Sequence, residues 1–201
     1  MNIQIVLFDG FDELDSIGPY EVLIRANEFG ANFDVKMVSV HLNSVTGFYG
    51  LTVKVNNFLS EDNCPDILIV PGGGWNHQGE KGARIEADKG VLPKWIAKFY
   101  EKGSIIAGVC TGGMLMAVSG ITAGRKTTMH HLAQKEMASY GCEVLGARTV
   151  DDHDIITARG VTSGIDLALW IIERFVGSEV ANSVERRLEY EKRGTVWRRN
   201  K

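Results

Sequence analysis

Short apolar runs recur along this chain, and each is followed by a longer stretch in which apolar residues return at helical spacing. The run Ile67–Val70 is apolar at every position. A run of this kind is typical of a central strand in a parallel sheet, because helices cover both faces of such a sheet. The alternation therefore predicts an α/β fold, with a mostly parallel central sheet flanked by helices on both faces.

The same alternation predicts where the other elements lie, with Gly18-Pro19 opening the first helix and Gly30 closing it. Val45 to Val55 alternates around two glycines, which indicates a small hairpin or an edge segment. We see no internal repeat or linker. The predicted strands are residues 3–8, 35–40, 67–70, 105–109, 148–150 and 155–158, and the predicted helices are residues 18–29, 85–100, 111–118, 132–140, 165–176 and 179–191.

Length and charge narrow the class of protein. The 201 residues, 44% of them hydrophobic, suit one domain spanning residues 1–201. With 22 Lys and Arg against 25 Asp and Glu, nucleic acid is not an expected partner. The basic cluster at the end, Lys192-Arg193 and Arg198 to Lys201, is expected to be a solvated tail.

Nothing in the sequence predicts a membrane protein. No apolar segment reaches the roughly 18 residues of a membrane span. The N-terminus is interpreted as a strand and not as a signal peptide, and three cysteines fit a reducing compartment better than a disulfide framework. We therefore expect a soluble, cytoplasmic protein.

One cysteine stands where a strand turns at once into a helix. The frame Gly108-x-Cys110-x-Gly112 is similar to the nucleophile elbow G-x-S-x-G, with cysteine in place of serine. A thiol at a helix start lies near the positive end of the helix dipole, so we expect Cys110 to have a lowered pKa and to be reactive. Cys64 and Cys142 have no spacing typical of a metal site, and we expect neither metal nor cofactor.

Glycines after the central strand provide candidate groups for binding negative charge. Pro71-Gly72-Gly73-Gly74 follows Val70, and ligands of open α/β sheets bind beyond the carboxyl ends of strands. Backbone N–H groups of Gly73 and Gly74 are the candidate oxyanion donors. A phosphate-binding loop is a weaker alternative because no Gly-Lys-Ser/Thr follows, and a plain turn is another.

Two carboxyl groups compete for the role of acid. Asp15, near the start of the first helix, is an N-cap candidate and also a proton donor beside the thiol, kept protonated by desolvation. Glu21 is the alternative acid, and the sequence separates the two poorly. His130 and His131 are candidate bases, although neighbouring residues are not expected to point the same way. Thr111 offers a hydroxyl that cannot act as a base near neutral pH.

Taken together, the motifs resemble the ThiJ/PfpI superfamily of class I glutamine amidotransferase-like proteins, whose fold is flavodoxin-like. The likeness covers nearly the whole chain. The motifs that carry it are Asp15-x-x-Gly18-Pro19-x-Glu21-Val22, Pro71-Gly72-Gly73, Gly108-Val109-Cys110-Thr111-Gly112, Gly124-Arg125-Lys126-Thr127-Thr128 and Ile156-Thr157-Ala158-x-Gly160-Val161-Thr162-Ser163-Gly164-Ile165-Asp166.

Within the superfamily, Asp15 with Cys110-Thr111-Gly112 looks most like the isonitrile hydratase branch. That resemblance implies a lyase that adds water to an isonitrile to give an N-substituted formamide, with Cys110 as nucleophile, Asp15 as acid and base, and Thr111 assisting. It also implies His130 near the site, a small-molecule substrate, no cofactor and a homodimer, for which the edges near Val45 to Val55 are a candidate contact. The protease branch carries histidine directly after the cysteine, so Thr111 argues against peptidase activity.

Two other functions use the same elbow. A cysteine of this kind serves as a redox or electrophile sensor when it is oxidised to sulfinate without turnover. Glyoxalase or deglycase chemistry also proceeds through a cysteine adduct, but normally requires a histidine base. The sequence leaves these alternatives open.

Overall fold

The computed structural model describes residues 1–77 and 79–199, and a seven-stranded sheet forms its centre. Its strands are β1 (Asn2–Leu7), β2 (Asp34–Ser39), β5 (Ile67–Val70), β6 (Ile105–Val109), β9 (Thr149–Asp152), β10 (Ile155–Ala158) and β11 (Val196–Arg198). The strand order is β11-β9-β10-β6-β5-β1-β2. Strands β2, β1, β5, β6 and β10 run parallel, β9 is antiparallel to β10, and β11 is parallel to β9.

Helices cover the sheet in two layers. One layer holds α1 (Glu13–Ala26), α6 (Ser163–Phe175) and α7 (Ser178–Arg187), which contact one another. The other holds α2 (Ala83–Lys89), α3 (Val91–Glu101), α4 (Gly112–Val118) and α5 (Gln134–Ser139). The predicted α/β architecture, mostly parallel and covered on both faces, is thereby confirmed. None of the helices in the described part of the chain is long and apolar enough to cross a membrane.

Two small two-stranded sheets lie outside the central sheet. The predicted hairpin is present as antiparallel β3 (Ser44–Thr46) and β4 (Thr52–Lys54). Parallel β7 (Lys126–Thr127) and β8 (Glu143–Val144) were not predicted, because two-residue strands carry no readable periodicity.

The first helix begins earlier than the sequence predicts. Asp12 is its N-cap, since the Asp12 carboxylate accepts a hydrogen bond from the Leu14 N–H at 3.1 Å. The prediction that Gly18-Pro19 opens the helix is therefore wrong, and Pro19 lies inside α1. Pro19 is buried against Gly164 of α6, so it serves helix packing and not helix initiation.

The helix predicted over residues 85–100 is two helices. α2 ends and α3 begins at Gly90, which adopts a left-handed φ of 69°. Glycine takes this conformation without the steric cost that a side chain would add, so the chain changes direction there. One continuous helix over this range was a wrong prediction.

The basic C-terminus is not simply a solvated tail. Val196–Arg198 forms the edge strand β11 beside β9, and the Arg199 guanidinium pairs with buried Asp152 at 2.5 Å. Strand pairing between positions this far apart is invisible to local periodicity. Asn200 and Lys201 of the predicted tail lie outside the described residues.

Candidate active site

Cys110 occupies a strained turn between β6 and α4. Its φ is 55°, an uncommon value for a residue with a side chain, and such strain is often found at functional sites. The turn requires Gly112, because a Cβ there would collide with the Val70 carbonyl oxygen of the neighbouring strand. The predicted elbow geometry is present.

The Cys110 thiol is 6% exposed, and its ionisation is harder than the sequence predicts. Burial raises the pKa of the Cys110 thiol, and the charge of Asp15 raises it further. Hydrogen bonds from the Thr111 N–H and hydroxyl lower the pKa of Cys110 without cancelling the increase. The expectation of a lowered pKa was wrong, because desolvation outweighs the helix dipole.

Asp15 lies beside the thiol, fully buried in the first turn of α1. Its Oδ2 accepts a hydrogen bond from the Gly72 N–H at 2.9 Å. Its Oδ1 is buried and has no hydrogen-bond partner of ordinary geometry among the described residues. Burial, followed by the charge of Asp12, raises the pKa of Asp15 well above its usual range, while the Gly72 N–H and then the neighbouring Cys110 thiol lower it in part. Asp12 fills the N-cap position that the sequence offered to Asp15.

Asp12 is a site residue that the sequence analysis missed. It lines the cavity over Cys110, and its charge acts on both Asp15 and the thiol. Burial raises the pKa of Asp12 itself, and the N–H groups of Leu14 and Asp15 lower it in part. An Asp before an apolar helical pattern signals an N-cap, which identifies the cap but not the second role.

The glycines after β5 are held against the elbow. The Thr111 hydroxyl accepts a hydrogen bond from the Gly73 N–H at 3.0 Å, and the Gly72 N–H is engaged by Asp15. An oxyanion role for Gly73 therefore requires the bond to Thr111 to break. Gly74 also lines the cavity, and its N–H makes no hydrogen bond to the described residues, so it stays a predicted oxyanion donor.

His130 lies near the thiol. A Cβ placed on Gly160 would lie 2.9 Å from His130 Cδ2 and 3.1 Å from Cys110 Sγ, so the ring and the sulfur border the same space, which the absence of a side chain at Gly160 leaves open. The pKa of His130 is lowered by burial, by His131 and by Arg159. The rings of His130 and His131 are 4.5 Å apart, but only His130 lines the cavity over Cys110.

The cavity over Cys110 has a volume of about 170 Å³. Its wall at Trp75 is fixed by Glu136, which accepts from the indole N–H at 2.8 Å, and by Arg84, which lies over the ring. Beside Asp12, Gly74, Cys110 and Thr111, the cavity is lined by Phe48, Tyr49, Gly73, Trp75, Asn76, His77, His130, Leu132 and Val161. The site is therefore a small cavity with the Cys110 thiol and the Asp12 carboxyl in its lining, and Asp15 is buried outside that lining.

Comparison with known proteins identifies the family. The model of the DJ-1/PfpI family matches residues 1–174. This chain belongs to the DJ-1/PfpI family. It is 29% identical to an isonitrile hydratase of Pseudomonas putida over 94% of this chain and 78% of that one, and 28% identical to a deglycase of Thermococcus kodakarensis over 86% and 96%.

Solved structures show the same fold. A ThiJ/PfpI family protein from Pseudomonas syringae superposes with a TM-score of 0.84 at 23% identity, covering 94% of this chain and 75% of that one. DJ-1 of Schizosaccharomyces pombe gives a TM-score of 0.79 at 21% identity, covering 95% and 100%.

In this DJ-1/PfpI chain, Glu21 is not near the thiol. Its side chain is 48% exposed on the outer side of α1 and pairs with Arg25 at 2.7 Å. Helical spacing turns Glu21 away from the face that carries Asp15, six positions earlier. This position does not favour Glu21 as the acid, whereas the charges of Asp15 and Asp12 both act on Cys110.

The other two cysteines of this DJ-1/PfpI protein lie apart from the elbow. Cys64 contacts the Ser104 hydroxyl at 3.2 Å, and Cys142 contacts the Thr122 hydroxyl at 3.1 Å. Within residues 1–77 and 79–199, no three His, Cys, Asp or Glu side chains are grouped as a metal site would need.

Proposed function

We propose that this protein is an isonitrile hydratase, which adds water to R–N≡C and releases an N-substituted formamide. The observation that carries the proposal is the fully buried Asp15 against the Cys110 thiol, with Thr111 and not histidine next in the chain. The identity to the Pseudomonas putida hydratase, over nearly the whole chain, supports the same function.

The addition step follows from a proton that the pair can exchange. Because burial and the charge of Asp15 both raise the pKa of Cys110, the thiol keeps its proton and Asp15 is the ionised member of the pair until the substrate arrives. Asp15 accepts that proton as Sγ bonds to the terminal isonitrile carbon, and then delivers it to the same carbon. The product is a thioimidate, R–N=CH–S–Cys110, and Asp15 is again a carboxylate.

Hydrolysis of the thioimidate uses the same carboxylate. Asp15 takes a proton from water as the water oxygen attacks the carbon, and this proton is returned to the substrate nitrogen. Collapse of the R–NH–CH(OH)–S–Cys110 adduct expels the sulfur, which takes the hydroxyl proton, and releases the formamide. The Thr111 hydroxyl accepts from the Gly73 N–H, so its own hydrogen is available to the sulfur as charge develops there.

The decisive experiment follows formamide production from cyclohexyl isocyanide. The wild-type protein is expected to turn it over, whereas Cys110→Ala and Asp15→Asn lower kcat by at least about a hundredfold, the usual range for general acid–base catalysis. Cys142→Ala, which removes a buried thiol far along the chain from the elbow, is the matched control and keeps its activity. Formamide production by Cys110→Ala at the wild-type rate overturns the proposal.

His130 supports a second candidate, glyoxalase or deglycase chemistry. Its imidazole and the Cys110 sulfur border the same space at Gly160, and the pKa of His130 is lowered, so a neutral ring is available as a base. The relative from Thermococcus kodakarensis is a deglycase. Turnover of methylglyoxal that is lost in His130→Asn, with no turnover of cyclohexyl isocyanide, selects this function.

A sensor role is tested in the same preparation. Mild peroxide followed by mass measurement reports sulfinate as a gain of two oxygens. A raised pKa of Cys110 leaves little thiolate, so we expect slow oxidation. Rapid stoichiometric oxidation without turnover of either substrate selects the sensor.

A further inference from the structure

A second cavity adjoins the cavity over Cys110. Its volume is about 580 Å³, and it meets the first cavity at His130 and Val161, which line both. Four basic side chains line its walls: those of His130, His131, Arg148 and Arg159. The second cavity therefore places basic side chains directly beside the cavity that holds Cys110.

The two arginines of this second cavity differ in their partners. Arg148 is neutralised by Asp166, whose carboxylate is 2.6 Å from Arg148 Nε, and it also donates to the Thr162 hydroxyl. Arg159 makes no ion pair with any carboxylate of the described residues, and no acidic side chain lines this cavity. Its positive charge is near enough to His130 to disfavour protonation of that ring.

A guanidinium that has no carboxylate partner among the described residues, beside two imidazoles in a cavity next to the nucleophile, is suited to an anionic group. Guanidinium binds carboxylate through parallel hydrogen bonds, and such charge-assisted bonds are among the strong ones. His130 Nδ1 accepts from the Leu132 N–H at 3.4 Å, which leaves Nε2 as the protonated nitrogen of the neutral ring and therefore as a donor.

We propose that Arg159, assisted by His130 and His131, binds a carboxylate on the N-substituent of the substrate. This inference rests on the proposed function and narrows its substrate class to isonitriles derived from amino acids or similar acids. The isonitrile carbon lies at Cys110, and the acid group lies in the second cavity.

Two isonitriles that differ only in charge test the inference. Isocyanoacetate carries the carboxylate, and methyl isocyanoacetate is its neutral counterpart. We expect kcat/KM for the acid to exceed that for the ester by about tenfold or more, the value of one hydrogen bond to a charged group. In Arg159→Gln this ratio falls to near one.

The control variant is Arg186→Gln, which removes one positive charge from the exposed face of α7, where Arg186 bonds only the Ser183 hydroxyl. Arg186→Gln is expected to keep the wild-type ratio of kcat/KM for acid over ester. This control distinguishes an effect of a contact with Arg159 from an effect of the net charge of the protein. Equal kcat/KM values for acid and ester in the wild-type protein overturn the inference.

Binding measured without turnover keeps the two proposals distinguishable. N-formylglycine, the product expected from isocyanoacetate, is titrated against the protein by calorimetry beside its methyl ester. We expect the acid to bind the wild-type protein about tenfold more tightly than the ester, and we expect this difference to disappear in Arg159→Gln. In NMR titrations of the wild-type protein, binding of the acid is expected to raise the pKa of His130. If the acid binds selectively but neither isonitrile is turned over, the proposed function is contradicted and the carboxylate site is not. If both isonitriles are turned over with no preference for the acid, the carboxylate site is contradicted and the proposed function is not.

Discussion

The chemistry of this site depends on one buried carboxyl. Asp15 has a raised pKa because it is desolvated, so its ionised form costs the folded state free energy that the unfolded state does not lose. A group with a raised pKa in the folded state favours folding below its unfolded pKa, and that contribution is lost as pH rises through the folded value. Under the proposed function, Asp15 would serve catalysis at the expense of stability.

Asp15→Asn is expected to be more stable than the wild-type protein at pH 8. Asparagine keeps an oxygen for the Gly72 N–H and removes the buried charge. The gain is about 1.4 kcal/mol for each unit by which the pKa of Asp15 is raised, and it shrinks towards pH 4. Urea unfolding at both pH values measures it, with exposed Asp62→Asn as control. A gain that is the same at pH 4 and pH 8 contradicts the raised pKa of Asp15.

The reactivity of Cys110 provides a second residue-scale test. Because the charge of Asp15 raises the pKa of the thiol, Asp15→Asn is expected to lower that pKa and to speed alkylation of Cys110 by iodoacetamide at pH 8. The rate is followed by mass spectrometry, with Cys64→Ala and Cys142→Ala present in both proteins. Slower alkylation in Asp15→Asn means that the carboxyl stabilises the thiolate instead.

The sequence predicted which residues meet at this site better than it predicted their charge states. Gly108-x-Cys110-x-Gly112 identifies the turn through local sterics, and the position of Asp15 follows from the family motif. The direction of the pKa shift of Cys110 was wrong because desolvation depends on side chains from distant segments. The sequence analysis did not identify Arg159 as a candidate site residue for the same reason. Whether a carboxylate lies near Arg159 depends on which distant segments fold against it.

At the scale of elements, the closeness of β5 and α4 determines the elbow. Gly112→Ala would place a methyl group against the Val70 carbonyl oxygen, so we expect a loss of about 1–3 kcal/mol in the free energy of unfolding, as for other overpacked sites. Gly146→Ala, where a Cβ meets nothing within 4 Å, is the matched control. Chemical denaturation of the three proteins compares them, and equal stabilities show that β5 and α4 can move apart.

Elements with strong local patterns were predicted well. Ile67–Val70 and Ile105–Val109 coincide with β5 and β6. The first apolar run ends at Pro71, and the second begins just after Gly103 and ends at the Cys110 turn, so little choice of boundary is left. The helix break at Gly90 was missed, since glycine within a helical pattern costs only about 1 kcal/mol and is often tolerated. The prediction based on Pro19 put the start of α1 too late, because Pro19 packs against α6 and does not begin the helix.

At the scale of the whole molecule, the C-terminal strand β11 forms one edge of the central sheet. Removing residues 196–201 would expose one edge of β9 over residues 149–151 and remove the ion pair of Arg199 with Asp152. We expect the melting temperature to fall by about 3 °C or more, together with self-association through the free edge. Calorimetry and light scattering measure the two effects, and Arg199→Gln separates the ion pair from the strand. An unchanged melting temperature shows that β11 does not stabilise the sheet.

The bond between the Thr111 hydroxyl and the Gly73 amide has an evolutionary consequence. Exchange of this residue for one without a small acceptor leaves an amide inside the protein with nothing to bind. A lineage that moves between chemistries at this elbow must therefore reshape the turn after the central strand as well. A new activity at this elbow is therefore expected to require paired substitutions. A protein with the first substitution alone would be less stable, whatever its effect on activity.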